Sequence, residues 1–162
     1  MTGVGSSWSD AVVTTEGPPP AADPAEADPA LTKQDFEALA RFRFGIRRYL
    51  RFSEDTVRGH GLSPQQYQLL LALKGFPLRD WATVGELAER LQLRPHSTAE
   101  LITRAQKQDL VRRVPDPDDA RVVRVELTGA GEELLARLSR LHRTQLEHMR
   151  TALSVPIWHD EM

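Results

Sequence analysis

Residues 83–128 read TVGELAERLQLRPHSTAELITRAQKQDLVRRVPDPDDARVVRVELT, and the fold turns on them. Thr83-Val84-Gly85-Glu86 has the spacing of a capping box, in which a hydroxyl and a carboxylate satisfy each other's backbone donors at a helix start. Val84, Leu87, Ala88 and Leu91 follow at helical spacing. After Gln92-Leu93-Arg94, Pro95 suits the first position of a second helix. Its inner face is expected to be Thr98, Leu101, Ile102 and Ala105. Its outer face is expected to be His96, Ser97, Glu100, Thr103, Arg104 and Lys107. Then the period drops to two. Leu110 to Val114 and Val122 to Leu127 read as strands around the polar loop 115–121. Two helices joined by three residues, with a hairpin directly after them, predict a winged helix-turn-helix.

The flanks extend this pattern. Ser63-Pro64-Gln65-Gln66 is a second helix start, with Tyr67, Leu70, Leu71 and Leu73 as its apolar face. Gly75 and Pro77 stop that helix, and residues 76–82 read as a loop with Trp81 near its end. Upstream, Lys33 to about Val57 is helical and carries two apolar stripes: Phe36, Ala40 and Phe44, then Leu39, Phe42, Ile46 and Tyr49. Two such stripes suggest burial on both sides, between a core and a partner. Downstream, Thr128 can cap a last helix along which Leu135, Leu138, His142, Leu146, Met149 and Leu153 recur. The expected class is mainly α with a small β-hairpin. Residues 1–32 form an acidic, Pro-rich tail and 33–61 an N-terminal helix. Residues 62–128 form the winged lobe, and 129–162 a C-terminal helix with a short tail.

Composition narrows the chemistry. The 162 residues contain no cysteine, which excludes disulfides, thiolate zinc sites, iron–sulfur clusters and sulfur-based redox sensing. The longest apolar run, Leu69 to Leu73, is far short of the roughly 18 residues that span a bilayer. The first residues lack a basic and apolar signal pattern, so a cytoplasmic protein without membrane contact is expected. A net charge of −2 argues at first against nucleic acid. Yet residues 1–32 carry −5 with no Lys or Arg, which leaves +3 on the rest. Arg104, Lys107, Arg112, Arg113, Arg121 and Arg124 gather in the lobe's second half. A helix fits the major groove, and an arginine at a wing tip suits the negative potential of the minor groove.

Plainer readings accompany the sharp ones. Arg121 could pair with Asp118 or Asp119, and Arg104 with Glu100 at i,i+4. His96 could be a solvated histidine, and Thr98 inner packing. His142 lies on an apolar line and reads as a packed residue rather than a metal ligand or pH switch. Gly129-Ala130-Gly131 reads as a turn, because Glu132-Glu133 would repel a pyrophosphate. Phe44, Arg47 and Tyr67 could line an effector pocket, or be two core residues and a solvated arginine. No catalytic order, metal set or paired carboxylates stand out, so neither an enzyme nor a cofactor is expected.

Leu62-Ser63-Pro64-Gln65-Gln66-Tyr67, Thr83 through Leu91, Leu101-Ile102-Thr103-Arg104, Leu110-Val111-Arg112-Arg113, Asp116-Pro117-Asp118-Asp119-Ala120-Arg121 and Val125 through Gly131 together resemble the MarR family of winged-helix transcriptional regulators. The resemblance covers about residues 33–150. It implies a symmetric homodimer, joined through its first and last long helices, on a pseudo-palindromic operator in double-stranded DNA. It also implies repression, often released by a small aromatic or phenolic ligand. Asp119 would hold Arg121 at the minor groove. The candidate DNA contacts are Arg94, His96, Ser97, Thr98, Thr103, Arg104, Lys107, Arg112, Asp119 and Arg121. Two departures stand out. The family usually has Gly where Asp109 stands, so the second helix is expected to end differently. Beyond Leu153 only Ser154 to Met162 remain, with Pro156 among them, so the interface is expected to lean on the two long helices. A winged helix used only for protein contact stays open as the alternative.

If the acidic segment screens the basic lobe, deleting residues 1–30 should raise DNA affinity, most at low salt. Titrations of both forms at two ionic strengths check this. Equal affinities at low salt would remove the screening role.

Overall fold

The computed structural model describes residues 31–119 and 121–156. The acidic segment 1–30, Ala120 and residues 157–162 lie outside the described residues, and with them the readings of both tails. Among the described residues five helices and three strands follow in the order α1 (Lys33–Gly59), α2 (Pro64–Lys74), β1 (Trp81–Ala82), α3 (Val84–Leu91), α4 (Pro95–Lys107), β2 (Val111–Pro115), β3 (Val123–Leu127) and α5 (Gly129–Met149). The sheet is antiparallel with order β1-β3-β2. The expected class, mainly α with a small β wing, is the observed one.

The helix starts form as the sequence predicts. Ser63 and Gln66 close a capping box on α2, and Thr83 and Glu86 close one on α3. Thr32 and Asp35 do the same for α1, while Thr128 accepts from the Gly131 amide at the head of α5. Each box satisfies amides that a helix start would leave open, worth about 1 kcal/mol per cap.

The stops of α1, α3 and α4 share one device. Leu62, Leu93 and Leu110 donate their amides to the carbonyls of Val57, Ala88 and Ala105, five residues back, at 3.0, 2.9 and 3.1 Å. The residue before each leucine is left-handed: Gly61 at φ +79°, Gln92 at +53° and Asp109 at +56°. This is the Schellman turn, with an apolar residue folded back on the helix. The expectation that Asp109 would alter the end of α4 is therefore corrected. The helix stops as it would with glycine, and Asp109 bears the left-handed strain.

The core gathers around α2, which touches α1, α3, α4, α5 and the sheet. Leu69, Leu70, Leu73, Leu87, Leu101, Ile102 and Leu138 are fully buried, each worth roughly 1.5–3 kcal/mol. Two expectations fail here. Leu71, assigned to the apolar face, is 47% exposed, and Leu69 lies inside instead. A helix surrounded on most sides has no single stripe for periodicity to find. Residues 76–82 are not all loop, because Trp81 and Ala82 pair with Glu126 and Val125 as a third strand. Two residues are too few to show an alternation.

The two long helices, α1 and α5, pack together. Gly45 lies so close to the chain beyond α5 that a Cβ there would fall 2.3 Å from the Ala152 carbonyl oxygen. The other side of α1 stays open: Phe36, Leu39, Phe44 and Leu50 are exposed, as are Leu141 and Leu146 on α5.

Asp109→Gly should raise stability by about 0.5–1 kcal/mol, the left-handed cost less glycine's extra entropy. The urea midpoint should rise with an unchanged slope. A lower midpoint would mean that Asp109 contributes something beyond its backbone shape.

Candidate nucleic-acid interface

Helix α4 turns one face to the core and one to solvent. Thr98, Leu101, Ile102 and Ala105 are buried, as their spacing predicts. His96, Glu100, Thr103, Arg104 and Lys107 are exposed, and Ser97 is half-buried. Arg94 is the N-cap without a side-chain cap bond, and it is exposed. Among the described residues Arg94, Arg104 and Lys107 have no ion-pair partner. Glu100 faces His96 at 3.9 Å rather than Arg104, so the helix pair that was the plainer reading of Arg104 does not form. Three cations are left free along a helix about 20 Å long.

Thr98 needs correction as a DNA contact. It is 0% exposed, and its hydroxyl donates to the Arg94 carbonyl at 3.2 Å. Its alternative reading, inner packing, is the one observed. Arg112 needs correction too. Neighbouring strand residues face opposite sides. Arg113 reaches α4, donating to the Ala99 carbonyl at 3.0 Å, the Thr103 hydroxyl at 3.0 Å and Gln106 Oε1 at 2.7 Å. Arg112 lies on the other face, bound to Glu126 at 2.9 and 3.1 Å, beside Lys74, Trp81 and Glu132. The register thus assigns the helix edge to Arg113, which was not among the candidate contacts.

The wing is held by carboxylates. Asp119 receives Arg121 Nε at 3.0 Å and Nη2 at 2.9 Å, and its Oδ1 also accepts the Arg121 amide at 3.0 Å. Arg121 still has 90% of its side chain exposed. Pairing and presentation, set against each other as readings of the sequence, therefore coexist. Asp116 takes Arg124 Nε at 2.6 Å and accepts the amides of Asp118 and Asp119 at 2.8 and 3.1 Å. Arg124 is mostly covered and lies 4.1 Å from the Trp81 ring centre. It braces the wing rather than presenting charge. The Arg121 guanidinium holds the Asp119 carboxyl below the usual carboxylate range, and Arg124 does the same for Asp116.

The proposed effector residues do not share a surface. Tyr67 is buried and stacks on His142, with ring centres 4.5 Å apart. Phe44 is 60% exposed under Arg48, and Arg47 is exposed. His142 is buried as its apolar line predicts, with Nδ1 2.7 Å from the Leu138 carbonyl and Nε2 2.8 Å from Ser53 Oγ. The carbonyl can only accept, so Nδ1 donates to it. Gly129-Ala130-Gly131 opens α5, and Gly131 is a packing glycine. A Cβ there would fall 2.0 Å from the Leu110 carbonyl oxygen. Among the described residues no three His, Asp or Glu side chains gather as a metal site, and no helix is long and apolar enough to cross a membrane.

A capped helix pair, a protruding helix with free cations and a braced arginine-tipped hairpin define a winged helix-turn-helix protein. Residues 60–122 match the model of the MarR family. An HTH-type transcriptional regulator of Bacillus subtilis, YsmB, is 40% identical over 95 residues, which are 59% of this chain. The match spans 63% of the length of that relative. Over residues 60–122 the winged lobe of this chain is thus similar to the MarR family. Its fold matches that of AbsC, a MarR family transcriptional regulator from Streptomyces coelicolor, with a TM-score of 0.63 at 22% identity over 80% of this chain and 86% of that one. It also matches a mutant MepR of S. aureus bound to an oligodeoxyribonucleotide, with a TM-score of 0.60 at 19% identity over 77% and 86%. At these identities the likeness is one of fold.

Both wing carboxyls should titrate below the ordinary carboxylate value. The wing's stabilising contacts are then complete above that value and lost only as pH falls through the lowered one. Arg121→Ala should return Asp119 towards normal and leave Asp116 low, since Arg124 dominates there. Carboxyl-resolved NMR titration reads both, and a joint return would contradict the separate assignments.

Proposed function

We propose that this protein is a homodimeric, sequence-specific DNA-binding transcriptional regulator, acting as a repressor on a pseudo-palindromic operator. The observation that carries the reading is the pairing of two presentations on one lobe. The outer face of α4 offers Arg104, Lys107 and Arg94 without carboxylate partners, and Arg121 stands out from the wing on Asp119. A helix in the major groove and an arginine in the adjacent minor groove use both. That a mutant MepR of the same fold is bound to an oligodeoxyribonucleotide supports DNA as the partner.

Two copies would join through α1 and α5, whose uncovered apolar side chains supply a face to bury. Half-sites would then lie about one helical turn, roughly 10 bp, apart. Base reading falls to His96, Ser97 and Thr103, and phosphate contact to Arg94, Arg104, Lys107 and Arg113. A small aromatic or phenolic effector belongs to this reading only if it prefers one geometry of the dimer over the other. Phe44 and Arg47 are exposed on α1, whereas Tyr67 is buried in the core. Such a site would therefore need a second copy or a shifted helix.

Selection of genomic fragments with the purified protein should return one inverted-repeat sequence. Binding to it should fall with salt at about −0.9 in log–log slope for each phosphate neutralised. Arg121→Ala should weaken that binding roughly ten- to hundred-fold at fixed salt, with fold and dimer intact. Unchanged affinity would sink the wing assignment. No salt-dependent shift of any fragment would favour the protein-contact alternative. Candidate aromatic acids added to the complex test the effector.

A further inference from the structure

We propose that Trp81 is a positioning residue for the wing: by gathering Arg79 and Arg124 on one indole, it sets where Arg121 stands relative to α4. The proposal rests on the DNA-binding reading and deepens it.

Trp81 belongs to the two-residue edge strand and pairs with Glu126. Its neighbour Ala82 is fully buried, so Trp81 faces outward, on the side of the sheet that carries Arg112 and Glu126. Two guanidinium carbons lie 3.9 and 4.1 Å from its ring centre, those of Arg79 and Arg124. Like charges approach one ring so closely only if each is neutralised elsewhere. Arg79 is bound to Glu86, the carboxylate that closes the capping box of α3. Arg79 also lies over Phe76 at 4.5 Å, and Arg90 of α3 lies over the same ring at 4.3 Å. Arg124 is bound to Asp116 at 2.6 Å.

The contacts form an unbroken line from the helix pair to the wing tip. Glu86 binds Arg79, which stacks on Trp81. Trp81 stacks on Arg124, which binds Asp116. Asp116 accepts the Asp118 and Asp119 amides, and Asp119 grips Arg121. The hairpin's own ladder holds its two strands together but does not aim the tip. On the outer face of the sheet, the indole is the link between the tip and α3. Each cation–π contact is a modest attraction. That is enough to bias a hairpin tip, and too little to be the lobe's main source of stability. The spacing between a major-groove helix and a minor-groove arginine is what the line controls, so Trp81 acts on register without touching DNA.

The experiment is a mutant cycle in the full chain, on the operator fragment that the wild type selects. Trp81→Leu should weaken binding about three- to thirty-fold, and Trp81→Phe, which keeps a ring, by less. In an Arg121→Ala background the Trp81→Leu loss should vanish, because there is no tip arginine left to aim. Equal losses in both backgrounds would overturn the proposal. Amide exchange at Asp118 and Asp119 without DNA is the second readout. It should quicken in Trp81→Leu and be mostly restored in Trp81→Phe, and unchanged exchange would overturn the proposal as well. Arg124→Gln cuts the same line with the indole in place, so it carries both readouts if Trp81→Leu does not fold. If the wild type selects no fragment, the DNA reading fails, while exchange still decides whether Trp81 orders the wing.

Discussion

The backbone of Leu110 is where the lobe is locked. Its amide closes the turn that ends α4, and its carbonyl accepts the Thr128 amide where β3 gives way to α5. The Thr128 hydroxyl donates to the Asp109 carbonyl, and Gly131 rests against the Leu110 carbonyl with no room for a Cβ. Four elements thus share one residue's peptide groups. The direction of α4, the root of the hairpin and the departure of α5 cannot be changed separately. A protein that reads DNA with α4 and joins its twin through α5 would need such rigidity, because half-site spacing is set by how firmly one helix fixes the other.

That lock explains why so much of the fold was legible. Its parts are local: a hydroxyl three residues before a glycine, a leucine five residues after an alanine, a proline at a first turn. Caps and Schellman turns are short-range chemistry, and one sequence suffices to see them. Asp109 was misread because residue preference is a statement about cost. The leucine after it and the alanine five before it made the same turn regardless. Trp81–Ala82 was illegible as a strand for the opposite reason. Only its partner, β3, makes it one.

The candidate interface was legible where one helix carries it and illegible where parity decides. A period of 3.6 placed the inner residues of α4 correctly, Thr98 included in its packing role, and its outer ones apart from half-buried Ser97. Arg112 and Arg113 are chemically identical neighbours, and a one-residue step exchanges their faces. Nothing local distinguishes them. What does is Val111, buried in the core on Arg113's side. The effector residues failed differently. Phe44 and Arg47 were taken from a helix whose open face calls for a second chain, and Tyr67 from the core.

Charge counting is also sharpened by the geometry. Of the lobe's arginines, Arg79, Arg112, Arg121 and Arg124 each face a carboxylate, and Arg113 is tied to α4. The surplus of +3 outside the first 32 residues therefore does not say which cations can meet a phosphate freely. On the proposed reading Arg94, Arg104 and Lys107 would carry that role, and Arg121 would trade one anion for another on entering a groove. Such an exchange contributes little net attraction at long range. Its worth lies in direction, since Asp119 has already removed much of the freedom that a bare arginine would lose on binding. A lobe built this way gains little from indiscriminate attraction to DNA and more from a groove of the right width at the right distance. A near-neutral composition is then a consequence of how the arginines are aimed, and it sits comfortably with a protein that binds few sites.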